Sequence, residues 1–272
     1  MLKVGLDIGT GFVKCASNYG TARFPSVCAK IIHGDWSDGA TEVVGDDAAQ
    51  MLQMPGAIAV RPVVRGRPDP RYTGHVEMLV QEALSRMRKM SGDKSDETTI
   101  VVGLPYEASN MRDMMSKSVS KATGTKSCAV VAQAVGTLVE MGVPTGLSVS
   151  IGQGTTEIVV MRDNKILDGE SSRWASDFIT RKISRIAHLD LELLKKRSVT
   201  CKKYAKHLAE GLAPDITDMA RSYRCEKVVL SGGGILIPGV RDHLGPLLKE
   251  FDTVVPSDPV MSNARGLYKL VP

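Results

Sequence analysis

Three short glycine turns, each directly behind an apolar run, constrain this chain more than any other feature. Residues 6–14 read LDIGTGFVK, residues 148–160 read SVSIGQGTTEIVV, and residues 228–240 read VVLSGGGILIPGV. The first two share I-G-x-G between alternating runs, which reads as a strand, a tight turn and a returning strand. The unit recurs in the second half of the chain, so two related α/β halves are expected. A backbone can take up bulky phosphate oxygens only where N–H groups converge and no Cβ intervenes, and glycine turns supply that geometry. The candidate cofactor-binding residues are therefore Gly9, Thr10 and Gly11, then Gly152, Gln153, Gly154, Thr155 and Thr156, then Gly232, Gly233 and Gly234. The third run is expected to open a helix, whose N-terminus favours negative charge. The threonines serve either as hydroxyl donors to phosphate or as plain turn residues.

Two charged residues flank the first turn. Asp7 ends the strand; next to phosphate oxygens its carboxylate needs a cation, and Mg²⁺ held through water fits, although an Asp there also caps turns. Lys14 lies on the return strand and either neutralises a β- or γ-phosphate or faces solvent.

The rest of the chain places these turns. Residues 21–32 read as extended and 33–41 as a polar loop around Trp36. Residues 45–53 form a short helix with Asp46 as N-cap, and the Pro-rich 54–70 are loops. Val76, Leu79, Val80, Ala83, Leu84 and Met87 repeat at three and four, predicting a helix over 72–90. A buried strand follows at 99–105, a helix at 107–123, a strand at 127–131 and a helix at 132–141. After the second glycine turn a third strand begins beyond Asp163-Asn164-Lys165. Helices are expected at 173–188 and at 190–223, the latter broken near Gly211 and Pro214. A last strand lies within 253–260 and a helix over 261–270.

Composition excludes several classes. A net charge of +5 on 272 residues is mild, and no five like charges adjoin, so direct nucleic-acid binding is not implied. The basic run of Lys195, Lys196, Arg197, Lys202, Lys203 and Lys206 is a solvated helix face or a partner contact. Five cysteines without CxxC spacing read as reduced thiols rather than a disulfide frame or metal site. No apolar run approaches the ~18 residues of a membrane span, and the N-terminus enters a strand directly. The expected location is cytoplasmic.

The same segments carry a resemblance. LDIGTGFVK resembles the first phosphate motif of the actin superfamily, SVSIGQGTTEIVV the second, and VVLSGGGILIPGV the adenosine motif. VVAQAVGTLVEMGVP (130–144) is similar to the first connecting helix between the lobes. VVGDDAAQMLQMPGAIAVRPVVRG (43–66) and SNARGLYKL (262–270) resemble the small upper subdomain and last helix of the bacterial rod-shape actins. The resemblance covers nearly the whole chain in the right motif order. It implies a two-lobed, actin-like (ribonuclease-H-like) ATPase fold of duplicated α/β halves. The first lobe would be 1–135, with its small subdomain at about 29–70, and the second lobe 136–272. It implies ATP or GTP with Mg²⁺ as cofactors, Asp7 and Gln133 as catalytic residues, and Gln133 orienting the attacking water as the Gln of small GTPases does. Glu140 and Glu157 are nearby carboxylates not assigned as the base.

Two departures from the pattern matter. Only residues 188–227 separate the second phosphate motif from the adenosine motif, so the upper subdomain of the second lobe is expected to be missing. The nucleotide base would then be more exposed, with Trp174 filling the space or stacking on the base. And Ser150 stands where the family has Asp, with Gln153 inside the turn. A hydroxyl cannot replace a carboxylate as a base, so hydrolysis is either slow or lost.

The leading reading is a filament-forming bacterial actin-like protein in plasmid or DNA segregation or intracellular positioning. Its partners would be itself and a DNA-bound adaptor protein. The alternative is a non-polymerising adaptor or chaperone-like protein on the same fold. A sugar or acetate kinase fits worst, lacking the carboxylate and a substrate-binding insertion.

Overall fold

The structure is a computed structural model and describes residues 1–32, 40–92, 97–125, 128–183 and 196–272. Trp36, Lys195 and the expected helical residues 184–194 lie outside the described residues. The first half contains β1 (Leu2–Ile8), β2 (Phe12–Ser17), β3 (Gly20–Pro25), β4 (Cys28–Ile32), β5 (Ala40–Val44), α1 (Asp46–Met51), β6 (Ile58–Val60), β7 (Val63–Val64), β8 (Arg67–Pro68), α2 (Thr73–Ser91), β9 (Thr98–Leu104), α3 (Arg112–Thr123), β10 (Cys128–Ala132) and α4 (Val135–Glu140). The second half contains β11 (Gly146–Ile151), β12 (Thr156–Arg162), β13 (Lys165–Ser172), α5 (Asp177–Ile183), α6 (Ser198–Ser222), β14 (Lys227–Ser231), α7 (Val240–Leu247), β15 (Asp252–Val254) and α8 (Ser262–Lys269).

Two five-stranded sheets have the same plan. One runs β10-β9-β1-β2-β3 and the other β15-β14-β11-β12-β13. In each, three antiparallel strands continue into parallel ones at β1 or β11. The duplication expected from I-G-x-G is therefore a duplication of topology. Strands β1 and β9 show no alternation because both faces are covered, as parallel strands between helices require. Leu2, Val4, Leu6 and Ile8 share a core with Leu79, Val80 and Met87 of α2 and Met115 of α3. The opposite face of β1 packs on α8.

The 54–70 stretch is more ordered than its prolines suggest. β6 joins β4 and β5 in a small antiparallel sheet, and β7 and β8 pair across a two-residue turn. That turn is Arg65-Gly66, both left-handed at φ 50 and 71, the twist a two-residue hairpin demands. The Asp163-Asn164 turn between β12 and β13 has the same handedness. The cap of α1 is Gly45 rather than Asp46, whose carboxylate pairs with Arg86 at 2.8 Å.

Three further expectations need correction. α6 runs unbroken through Gly211 and Pro214. Its buried stripe, from Cys201 through Leu208 and Leu212 to Ala220, outweighs the one hydrogen bond that Pro214 cannot donate. Gly211 is where the Trp174 ring lies on the helix; a Cβ there would sit 2.3 Å from Trp174 Cε2. The third glycine run opens a 3₁₀ turn, Gly233–Leu236, and the α-helix starts only at Val240. The last strand is confined to Asp252–Val254.

The two sheets are joined by helices α4 and α8, which cross in backbone contact. A Cβ on Gly266 would lie 1.6 Å from the Gly136 carbonyl oxygen, and one on Gly136 would lie 2.3 Å from that of Asn263. No side chain separates the helices at this point. Gly266→Ala is expected to destabilise the fold by about 1–3 kcal/mol or more through overpacking, read as a lowered urea midpoint. An unchanged midpoint would show that the crossing has slack.

Candidate functional site

The two glycine hairpins face each other across a cleft of about 410 Å³, within the roughly 300–1,000 Å³ of small-ligand sites. Each turn closes in the same way. The Gly9 N–H donates to the Phe12 carbonyl at 3.0 Å, and the Gly152 N–H to the Thr155 carbonyl at 2.9 Å. The tips touch. Gln153 Oε1 occupies the space a side chain on Gly11 would need, and Thr10 lies against Gly154. Thr10 Oγ1 also accepts the Gly66 N–H at 2.7 Å, which brings the β7–β8 turn to the edge of the cleft.

Asp7, Gly9, Thr10, Gly11, Lys14, Gln133, Gly152, Gln153, Gly154, Thr155, Gly232 and Gly233 all line this space. Two expected residues do not. The Thr156 hydroxyl is fully buried and donates to the Trp174 carbonyl. Gly234 is packed under Ile151, where a Cβ would meet Cγ2 at 2.2 Å. Both point into the second sheet's core because the cleft face of each motif is used up by the residues before them. Trp174 does not stack over the cleft either. It packs on Gly211 and edge-on to Phe178, with 5.1 Å between ring centroids.

Strand register builds the charge of the site. Asp7, Lys14 and Arg23 are direct neighbours across β1, β2 and β3. Lys14 Nζ lies 2.8 Å from Asp7 Oδ2, with the two side chains 17% and 3% exposed. Arg23 is exposed, stacks over the Phe12 ring at 5.0 Å, and lines the cleft. Sequence reading missed Arg23, although its register with Lys14 follows once the turn at Asn18-Tyr19 is recognised. In the second half the corresponding pair is Ser150 and Glu157. Glu157 turns away from the cleft. It is 1% exposed and accepts the Tyr106 N–H from the first lobe at 3.1 Å. Burial pushes its carboxyl up to about 7, and the nearby Glu107 adds to this. Glu140 is engaged by Arg265 at 3.4 Å.

Gln133 follows β10 and is fixed by its N–H bond to the Leu104 carbonyl at 2.7 Å. Its side chain is 8% exposed and borders the cleft, and Oε1 has no protein partner among the described residues. Such an amide can hold a water. Asn263, from α8, was not foreseen. It reaches the cleft floor and donates to Ser150 Oγ at 3.1 Å. Glycine turns, two cations and an orphan amide fit the phosphate chain of a nucleotide. They fit a protein-held Mg²⁺ poorly, because among the described residues Asp7 is the only carboxylate on the cleft lining and Lys14 engages it.

Residues 1–197 match the MreB/Mbl protein family. The chain belongs to that family. Solved structures share its actin-like, two-lobed α/β fold at low identity. The MamK double helical filament gives a TM-score of 0.82 at 18% identity, over 99% of this chain and 98% of that one. A non-polymerising MamK mutant bound to AMPPNP gives 0.71 at 17%, over 99% and 98%. MreB5 of Spiroplasma citri bound to ADP gives 0.66 at 18%, over 98% and 94%. Actin-related protein 2 of Acanthamoeba castellanii is 29% identical over 164 residues, 56% of this chain and 40% of that protein, so the match spans under half of that relative's length. The third glycine turn and Asn263 lie beyond the residues matched to the MreB/Mbl family. Among the described residues no helix is long and apolar enough to cross a membrane.

Two outcomes follow from this geometry. The native state keeps a proton on Glu157 up to about 7 that an unfolded carboxyl releases near 4.5. Stability should therefore fall as pH rises through that window and level off above it. Glu157→Gln should remove the loss, gaining on the order of a few kcal/mol over wild type at pH 8 and little at pH 4 in urea titrations. Trp174→Ala should cost about 3 kcal/mol of stability, as loss of a packed aromatic does, with nucleotide affinity unchanged; a selective affinity loss would return Trp174 to the site.

Proposed function

We propose that this MreB/Mbl-family chain is a nucleotide-dependent, filament-forming cytoskeletal protein that hydrolyses its nucleotide slowly. The observation that carries this reading is the pair of glycine hairpins facing each other across one cleft, with the Asp7–Lys14–Arg23 row on its wall. Supporting it are the relatives solved as a filament and as AMPPNP and ADP complexes. The lobes 1–135 and 136–272 act as the two bodies that ATP or GTP draws together into the polymer-competent form. The small subdomain lies within the first lobe, and the second has no counterpart among the described residues, which leaves the base exposed and base preference weak. Gln133 orients the attacking water without accepting its proton, so turnover is slow. Lys14 and Arg23 take up phosphate charge. The protein works in the cytoplasm, in plasmid or DNA segregation or intracellular positioning, polymerising with itself and coupling to cargo through a DNA-bound adaptor.

Pelleting and negative-stain imaging with ATP, GTP, ADP or no nucleotide tests this, with phosphate release followed in the same samples. Filaments that require a triphosphate are expected. Nucleotide binding without polymer at any concentration would replace the reading with that of an actin-fold adaptor. Gln133→Ala is expected to lower phosphate release by about tenfold or more while binding persists, the scale of a lost water-positioning group.

A further inference from the structure

The polar side chains beneath the second hairpin form a hydrogen-bond chain with a single direction. The carboxamide oxygen of Asn263 can only accept, so the Thr137 hydroxyl, 2.8 Å away, donates to it. That uses the one hydrogen Thr137 has. Ser231, 2.9 Å from Thr137, must then be the donor of that pair. At its other end the carboxamide Nδ2 donates to Ser150 Oγ at 3.1 Å. All four residues are at most 5% exposed, so water does not compete for these bonds. The Ser150 oxygen is thereby committed as an acceptor toward Asn263. Its own hydrogen has no acceptor among the described residues, and Ser150 borders the cleft.

Ser150 is the counterpart of Asp7, each standing one residue before the Ile-Gly of its hairpin. A carboxylate at that position would accept, and could hold the water shell of a cation. The network makes Ser150 a donor instead. On the other side of the cleft, Asp7 is engaged by Lys14, and Arg23 adds a second cation in the same row. Asp7, Lys14 and Arg23 together carry a formal charge of +1, and Glu157 faces the other lobe rather than the cleft.

Resting on the nucleotide-binding reading above, we infer that this cleft holds the phosphate chain on protein donors, and that Mg²⁺ is dispensable for binding. The donors are Lys14, Arg23, the Ser150 hydroxyl and the glycine-turn N–H groups. The cation's charge is supplied by the Lys14–Arg23 row, and the anchoring carboxylate has been exchanged for a hydroxyl that addresses the phosphate directly.

The test is calorimetric titration of the full chain with ATP and with GTP, in excess Mg²⁺ and in EDTA. The affinities are expected to agree within about threefold, a difference well under the 1.4 kcal/mol of a tenfold change. Arg23→Gln, at an exposed position, should weaken binding in EDTA by about tenfold or more, the scale of one charge-assisted hydrogen bond. Ser150→Asp should lose binding in EDTA to a similar degree and recover it with Mg²⁺, since a carboxylate repels phosphate until a cation intervenes; unfolding curves confirm that both variants are folded. Wild-type binding that needs Mg²⁺ would overturn this inference and leave the nucleotide reading standing. A Ser150→Asp protein indifferent to Mg²⁺ would overturn the donor role of Ser150. No binding of either nucleotide under either condition would overturn both readings.

Discussion

Two helices that touch without any side chain between them hold this molecule together. α4 leaves the first sheet and α8 returns to it, and their crossing is set by Gly136 and Gly266. Small residues at a crossing let backbones approach, and an approach this close leaves little freedom to slide, though it permits rotation about the contact. The binding chemistry is attached to the same place. Thr137 follows Gly136, and Asn263 precedes Gly266 by one helical turn, so the pair that bonds across the crossing also reaches Ser150 on the cleft floor. α8 packs on the first sheet and Ser150 lies on β11 of the second, so a rotation of one sheet against the other changes the angle at which Asn263 addresses Ser150. The joint and the site are one network.

Duplication explains the plan of the cleft, and divergence explains its chemistry. The two hairpins share a turn, a register and a place in their sheets. At the same two positions one half carries Asp7 and Lys14 and the other Ser150 and Glu157. The first pair is charged and borders the cleft. In the second, the charge has moved off the cleft to the contact between lobes, and the hydroxyl has stayed. A repeated scaffold thus gives two unlike walls, one cationic and one hydroxyl-lined, around a single space.

Much of this was legible in the sequence because it depends on local rules. Glycine turns after apolar runs, the Asp163-Asn164 turn and the three-and-four spacing of α2 are all read within a dozen residues. What escaped depends on distant partners. α6 continues through Gly211 and Pro214 because Trp174, some way back in the chain, covers the glycine and because a long apolar stripe holds the helix down. The same packing removed Trp174 from the cleft. Thr156 and Gly234 looked like further phosphate ligands by adjacency, yet each lies just past the residue at which its motif turns inward. Asn263 was invisible as a site residue because a last helix reaches the cleft only through the fold, and Arg23 was missed because its register depends on the short turn before β3.

The lobes meet at a second place of the opposite character. Glu157 of the second sheet accepts the Tyr106 N–H of the first lobe, and the Tyr106 ring lies against Gly169. The helix crossing is backbone contact at Gly136 and Gly266, flanked by the Thr137–Asn263 hydrogen bond and the Arg265–Glu140 ion pair. The Glu157 contact is one hydrogen bond from a buried carboxyl whose ionised form is disfavoured there. Of the two contacts, the glycine crossing is suited to act as the pivot. The Glu157–Tyr106 contact carries two opposed effects, since burial disfavours the ionised carboxyl while the Tyr106 N–H bond favours it.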